Sequence, residues 1–187
     1  MAVITISRQY GTGGVNLGRT LAENLNYRFF YVNELAKECK KRGLDIDLER
    51  IEGRAPRLLD RIFGLNRNKV RDALKTVMGE TGRAGDVVIC GWGGQVFLKN
   101  QETALHIRIV GSLESRTRYL METSGVPRSA VEDLIASADR NQSLFSHYFF
   151  DVDFADPKLY HAVINIDQIS RKDIIDFILL MLPKTVG

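Results

Sequence analysis

Cysteine is scarce in this chain of 187 residues: Cys39 and Cys90 are its two, and they share no CxxC spacing. A disulfide framework or a thiolate zinc site needs more thiols at closer intervals, so both read as buried free thiols of a reducing compartment. Histidine is scarce as well. His106, His147 and His161 are scattered, with no HExxH and no Ser-His-Asp arrangement, so zinc and hydrolase chemistries lack carriers and no metal-ligand set is expected. Long apolar runs are missing too. The most apolar stretch, Ile174 to Leu182, contains Asp176 and stops at Pro183, far short of the ~20 residues that span a bilayer. It reads as a core-facing terminal helix, and no membrane partner is expected. The opening Met1-Ala2-Val3-Ile4-Thr5-Ile6 has no basic segment and too short an apolar run for a signal peptide, so a cytoplasmic location is expected. Neither sign of charge dominates: 26 basic against 23 acidic residues give a net charge of +3. That balance is too even for a dedicated nucleic-acid binder and suits a small anion such as phosphate. Four prolines and no low-complexity stretch leave no linker, so a single domain over residues 1–187 is expected.

What is present is alternation. Val3 to Ile6 reads as a strand, a glycine cluster follows, and Leu17, Leu21 and Leu25 then recur at intervals of four on one helix face. Phe29-Phe30-Tyr31 predicts a short second strand, and Asn33 stands where it could cap a helix running to Lys41 before Gly43 stops it. The charged segment from Leu44 to Asn68, broken by Gly53, Pro56 and Gly64, predicts short helices around a substrate cleft. A helix over Val70 to Met78 broken at Gly82 to Gly85 comes next, then Asp86 to Cys90, an apolar run of the kind buried on both faces of a parallel sheet. A strand over Leu105 to Val110 precedes helices over Leu113 to Thr123 and Arg128 to about Phe149. A last strand over Ala162 to Ile166 then leads to the terminal helix. Strands separated by such helices make right-handed crossovers, so the expected fold is α/β: a parallel sheet between two helical layers.

A strand running through a glycine-rich turn into a helix gathers backbone N–H groups and the positive helix end at one point, which suits a phosphate. Gly11-Thr12-Gly13-Gly14 has that layout. Two registers of the GxxxxGK[ST] phosphate-loop pattern compete. Gly13 to Thr20 matches its letters better, with Arg19 in the lysine place, but it starts six residues after the strand and closes inside the Leu17, Leu21, Leu25 helix. The loop is therefore Arg8 to Val15, which puts Gly14 in the lysine place and Val15 where a Mg²⁺-binding hydroxyl is expected. A dinucleotide-binding GxGxxG would need glycine where Asn16 stands.

From Ile6-Ser7-Arg8-Gln9-Tyr10-Gly11-Thr12-Gly13-Gly14 onward the sequence resembles the cytidylate kinase-like family, whose members open with ISRxxGSGG. Phe30-Tyr31 with Glu34-Leu35, Val88-Ile89-Cys90-Gly91-Trp92-Gly93, His106 to Val110, Leu113 to Arg116, Ser137 to Arg140, Tyr148 to Phe150 and Asp153 to Tyr160 follow the family pattern in order. The resemblance implies a P-loop nucleoside-monophosphate-kinase fold with its core at 1–31, 66–120 and 160–187. An NMP-binding-type helical region would lie at about 32–65 and a lid-type region at about 125–158; for the aromatic stretch Ser143 to Phe150, closing on a nucleotide and covering core both remain open. It implies phosphoryl transfer from ATP, aided by Mg²⁺, to CMP or dCMP. Small nucleotides would be the partners, nucleic acid would not, and self-association is left open. The chain departs from the family at three charged positions: Gly14-Val15-Asn16 stands for Gly-Gly-Arg-Glu, Tyr31-Val32-Asn33-Glu34 for Tyr-Asp-Arg-Glu, and Gly91-Trp92-Gly93 for Gly-Arg-Gly. These departures motivate an alternative, a nucleotide-binding regulatory or interaction module that keeps the fold without transfer.

Phosphoryl transfer asks a protein to position two phosphates and neutralise their charge. Arg8 either stands in for the missing lysine or is a solvated strand-end residue. By resemblance Arg116 and Arg140 are the cleft and lid arginines and Asp139 their acidic neighbour, although arginine on a helix is often simply solvated. Gly11, Thr12, Gly13, Gly14 and Val15 are the expected cofactor-binding backbone, and Asn33, Glu34 and Trp92 the expected substrate contacts. For Trp92 core packing and a base-stacking surface both remain open.

Overall fold

A computed structural model describes residues 1–44, 48 and 67–182. Strands β1 (Val3–Arg8), β2 (Arg28–Phe30), β3 (Val87–Cys90), β4 (Ala104–Val110) and β5 (Ala162–Asn165) form one sheet, ordered β2-β3-β1-β4-β5, with every neighbouring pair parallel. The sheet is joined by the α-helices α1 (Gly14–Leu25), α2 (Val32–Lys41), α3 (Arg67–Ala84), α4 (Gly94–Phe97), α5 (Leu113–Ser124), α6 (Arg128–Phe150) and α7 (Arg171–Met181), with a 3-10 turn at Pro157–Leu159. None is long and apolar enough to cross a membrane. The short helices expected between 44 and 68, and most of the region at 32–65, lie outside the described residues.

Side chains alternate across a strand, so an apolar run feeds two cores at once. Val87 and Ile89 join Leu35, Leu74, Phe145 and Phe149 on the face covered by α2, α3 and α6. Val88 and Cys90 join Ile4, Ile6, Leu17, Leu21, Ile174 and Ile178 on the face covered by α1 and α7. Each such side chain gains about 1.5–3 kcal/mol on burial, which β1, β3 and β4, buried on both faces, would lose if either face met water. The result is the α/β/α sandwich read from the alternation of elements.

Four local readings change. β1 extends two residues further than its apolar run, because Ser7 and Arg8 pair with Arg108 and Ile109 of β4. The cap of α2 is Tyr31, not Asn33: Leu35 N donates to Tyr31 O (2.9 Å) and Glu34 carries a side-chain acceptor back to Tyr31 N (3.4 Å). α3 runs through Gly82, since that glycine admits a close neighbour and does not end the helix; a Cβ there would meet Leu98 Cδ2 at 2.8 Å. The break falls at Gly85 and Asp86, whose φ values are +68° and +47°. The short α4 after β3 was not anticipated.

Order positions the site. From β1 the chain passes to the β3 side of the sheet to form β2, and from β3 it crosses back over β1 to form β4. The carboxyl end of β1 is thus where successive connections part to opposite sides, and such a crevice is where open parallel sheets take ligands.

Candidate functional site

Beyond Arg8 the chain turns tightly. Thr12 N and Thr12 Oγ1 both donate to Gln9 O, at 3.4 and 2.9 Å, while Gln9 Oε1 accepts from Gly111 N (3.0 Å) and ties the loop to the segment after β4. Gly11 and Gly13 take φ of +83° and +69°, a left-handed backbone that favours glycine. Gly13 is the N-cap of α1 and brings no side-chain cap, so the first N–H groups of the helix are left to a ligand. The glycines also make room for neighbours: a Cβ on Gly14 would meet Arg8 Cβ at 2.7 Å, and one on Gly13 would meet Arg171 Nη2 at 2.5 Å. Arg171, the first residue of α7, lies over the Tyr119 ring at 4.5 Å.

This loop forms one wall of a cavity of about 440 Å³, together with Arg8, Tyr31, Trp92, Tyr119 and, from α6, Gln142 and Phe145. Arg8 Nη2 donates to Tyr31 Oη (3.2 Å) and the guanidinium sits 5.5 Å from that ring's centre. Gln142 Nε2 donates to Arg8 O (2.9 Å), so α6 closes directly onto the end of β1. Trp92 is buried, edge-on to Phe145 at 5.4 Å, and holds a φ of +53° between Gly91 and Gly93. It is cavity wall and core at once.

Of the residues expected at the site, Arg8, Gly11, Gly13, Gly14, Val15 and Trp92 line this cavity. Thr12 is buried beneath it. Arg116 lies behind the loop, its side chain 7% exposed: Nη1 donates to Asp139 Oδ1 (2.9 Å) and Tyr10 O (3.2 Å), and Nε to Gly111 O (3.1 Å). The Arg116–Asp139 pair thereby clamps the loop from outside. Arg140 is exposed on α6 and Asn33 exposed on α2, neither lining the cavity, and Glu34 lines a separate groove of about 420 Å³ with Arg28 and Lys37.

Sequence reasoning missed the cavity's polar floor. Ser7 and Gln95 line it, and behind them lie Arg108 and Tyr160. Arg108, 6% exposed, donates from Nη1 to Ser7 Oγ (2.8 Å) and to Tyr160 Oη (3.4 Å). One signal was available, an arginine inside the apolar strand Leu105 to Val110. Its partners were not.

The family model described as the cytidylate kinase-like family matches residues 3–168. The chain belongs to the cytidylate kinase-like family. Its fold is that of P-loop kinases. A crystal structure of an uncharacterized protein from Eubacterium ventriosum superposes with a TM-score of 0.74 at 19% identity, covering 96% of each chain. A shikimate kinase from Acinetobacter baumannii, in complex with shikimate, superposes at 0.54 with 18% identity over 96% of this chain and 91% of its own. A gluconokinase from Sinorhizobium meliloti gives 0.54 at 13% identity over 94% and 87%. At these identities the likeness concerns the fold. A search of curated proteins finds no match.

The family implies a nucleotide and, with it, Mg²⁺. The glycine turn fits a phosphate, because it leaves free N–H groups where any Cβ would intrude. It fits a protein-held metal poorly: Val15 has no side-chain oxygen, the Thr12 hydroxyl is turned to Gln9 O, and the described residues contain no cluster of three His, Cys, Asp or Glu side chains that could hold a metal. Such an ion would have to be held by phosphate oxygens and water.

Proposed function

We propose that this member of the cytidylate kinase-like family transfers the terminal phosphoryl group of ATP to a nucleoside monophosphate, with CMP or dCMP as acceptor. One observation carries the reading: the uncapped glycine turn at the carboxyl end of the central strand opens into a cavity of about 440 Å³, a size that suits small ligands. The donor's phosphates would lie on the N–H groups of Gly13 to Val15. Arg8 from the strand end and Arg171 from α7 flank the turn and would supply the charge that a loop lysine usually supplies. Tyr31, Trp92 and Phe145 give the opposite wall flat surfaces on which a base can lie. Arg116 and Asp139 would act on the loop, not on the substrate. The regions at about 32–65 and 125–158 would act as acceptor-binding and lid regions, the second already tied to β1 by Gln142.

A second reading, nucleotide binding without transfer, is favoured by Gly14 and Val15 in the lysine and hydroxyl places. A coupled assay of ADP release with the common nucleoside monophosphates separates the two. Acceptor-dependent ADP release, greatest with CMP or dCMP, is expected from the first reading. Nucleotide binding by calorimetry with no release above background would establish the second, and binding of no nucleotide would remove both.

A further inference from the structure

Arg108 carries a positive charge into the interior. No carboxylate lies within ion-pair distance of it among the described residues, and its neighbours are the hydroxyls of Ser7 and Tyr160 and the face of the Tyr160 ring, 5.7 Å away. A buried cation without an anion is costly, and a structure that keeps one gains when an anion arrives beside it.

Counting protons locates where that anion would be met. Tyr160 has one hydroxyl proton, and Phe154 O, which can only accept, takes it at 2.9 Å. Tyr160 Oη then has only lone pairs to offer, and Gln95 Nε2 (3.3 Å) and Arg108 Nη1 (3.4 Å) already donate to them. Ser7 Oγ accepts from Arg108 (2.8 Å) and lies 3.2 Å from a tyrosine oxygen whose acceptor positions are both approached by other donors. The Ser7 proton is the one left over, and Ser7 lines the cavity.

We propose that Ser7 and Arg108 form an anion subsite in the cavity floor. The Ser7 hydroxyl donates directly to a phosphoryl oxygen, and Arg108 acts as a positioning cation that forces the hydroxyl to donate and attracts the charge. That the oxygen belongs to a phosphoryl group rests on the kinase reading. The subsite serves either the donor's phosphate chain or the acceptor's monophosphate.

Calorimetric titration with inorganic pyrophosphate, ATP and CMP tests this in the wild-type chain, Ser7→Ala, Arg108→Met and the double variant, with melting temperatures measured alongside. Each single variant should weaken pyrophosphate about tenfold, and the double variant should lose little more, because both act through one hydroxyl. Whichever of ATP and CMP is weakened in parallel identifies the source of the oxygen. A measurement that needs no variant accompanies it: the wild-type chain should bind the nucleotide so identified at least tenfold more tightly than its nucleoside, adenosine for ATP or cytidine for CMP. Wild-type affinities in Ser7→Ala, a fall in melting temperature without loss of affinity, equal binding of that nucleotide and its nucleoside, or no binding of pyrophosphate would each overturn the subsite. Ser7-dependent pyrophosphate binding without any phosphoryl transfer would leave the subsite standing and remove the kinase reading.

Discussion

The Arg8 guanidinium donates to Tyr31 Oη and lines the cavity beside the glycine turn, while Gln142 holds the backbone carbonyl of the same residue. If it meets the donor's phosphates, Arg8→Ala removes a charge-assisted contact of about 1.5–3 kcal/mol, roughly a ten- to hundredfold loss of ATP affinity. Alanine keeps the Cβ against which Gly14 packs, so the melting temperature should stay near that of the wild type. Calorimetry with ATP, paired with a thermal melt, checks this, and unchanged ATP affinity would remove Arg8 from the site. Trp92 should behave in the opposite manner. Buried against Phe145 and carried on a turn of left-handed residues, it should cost about 3–5 kcal/mol of stability in Trp92→Ala, a fall in melting temperature on the order of 10 °C. A melt within a degree or two of wild type would instead make it a detachable cavity wall. At this scale the sequence spoke clearly where chemistry is local, in the glycine turn and the two missing loop side chains. It was silent where a contact joins residues 101 and 153 positions apart, as Ser7 does with Arg108 and Tyr160.

Elements carry the pH dependence. β1, β4 and the start of β5 meet at a stacked pair of histidines: His106 Nδ1 is 2.8 Å from Thr5 Oγ1, His106 N donates to His161 Nδ1 (2.9 Å), and the rings lie 5.0 Å apart. Burial, with a smaller contribution from His161, lowers the pKa of His106 from 6.5 to about 4. The folded chain therefore binds fewer protons than the unfolded chain between those values, so this stability is complete above about pH 6.5 and is lost as pH falls towards 4. With residual hydration allowed for, the loss is on the order of 2 kcal/mol. The melting temperature of the wild-type chain should fall more steeply between pH 7 and 4.5 than that of His106→Gln, and parallel curves would contradict the assignment. Helix and strand identities were legible because they rest on apolar spacing: Leu17, Leu21 and Leu25 mark α1, and the run to Cys90 marks β3. The continuation of α3 through Gly82 was not legible, because the reason for that glycine is Leu98, which lies just beyond α4 and distant in sequence.

For the whole molecule, alternation of strands and helices sufficed to infer a parallel sheet between two helical layers. The order β2-β3-β1-β4-β5 could not be read, since a strand buried on both faces does not name its neighbours. That order is what brings the glycine turn and the Trp92 turn to one cavity with Arg108 behind its floor, and the proposed phosphoryl transfer rests on it. The proposed transfer is tested most directly by ³¹P nuclear magnetic resonance of the wild-type chain with ATP, Mg²⁺ and CMP. CDP and ADP should appear together in equal amounts as ATP and CMP decline. ADP and inorganic phosphate without CDP, or spectra that do not change, would contradict it.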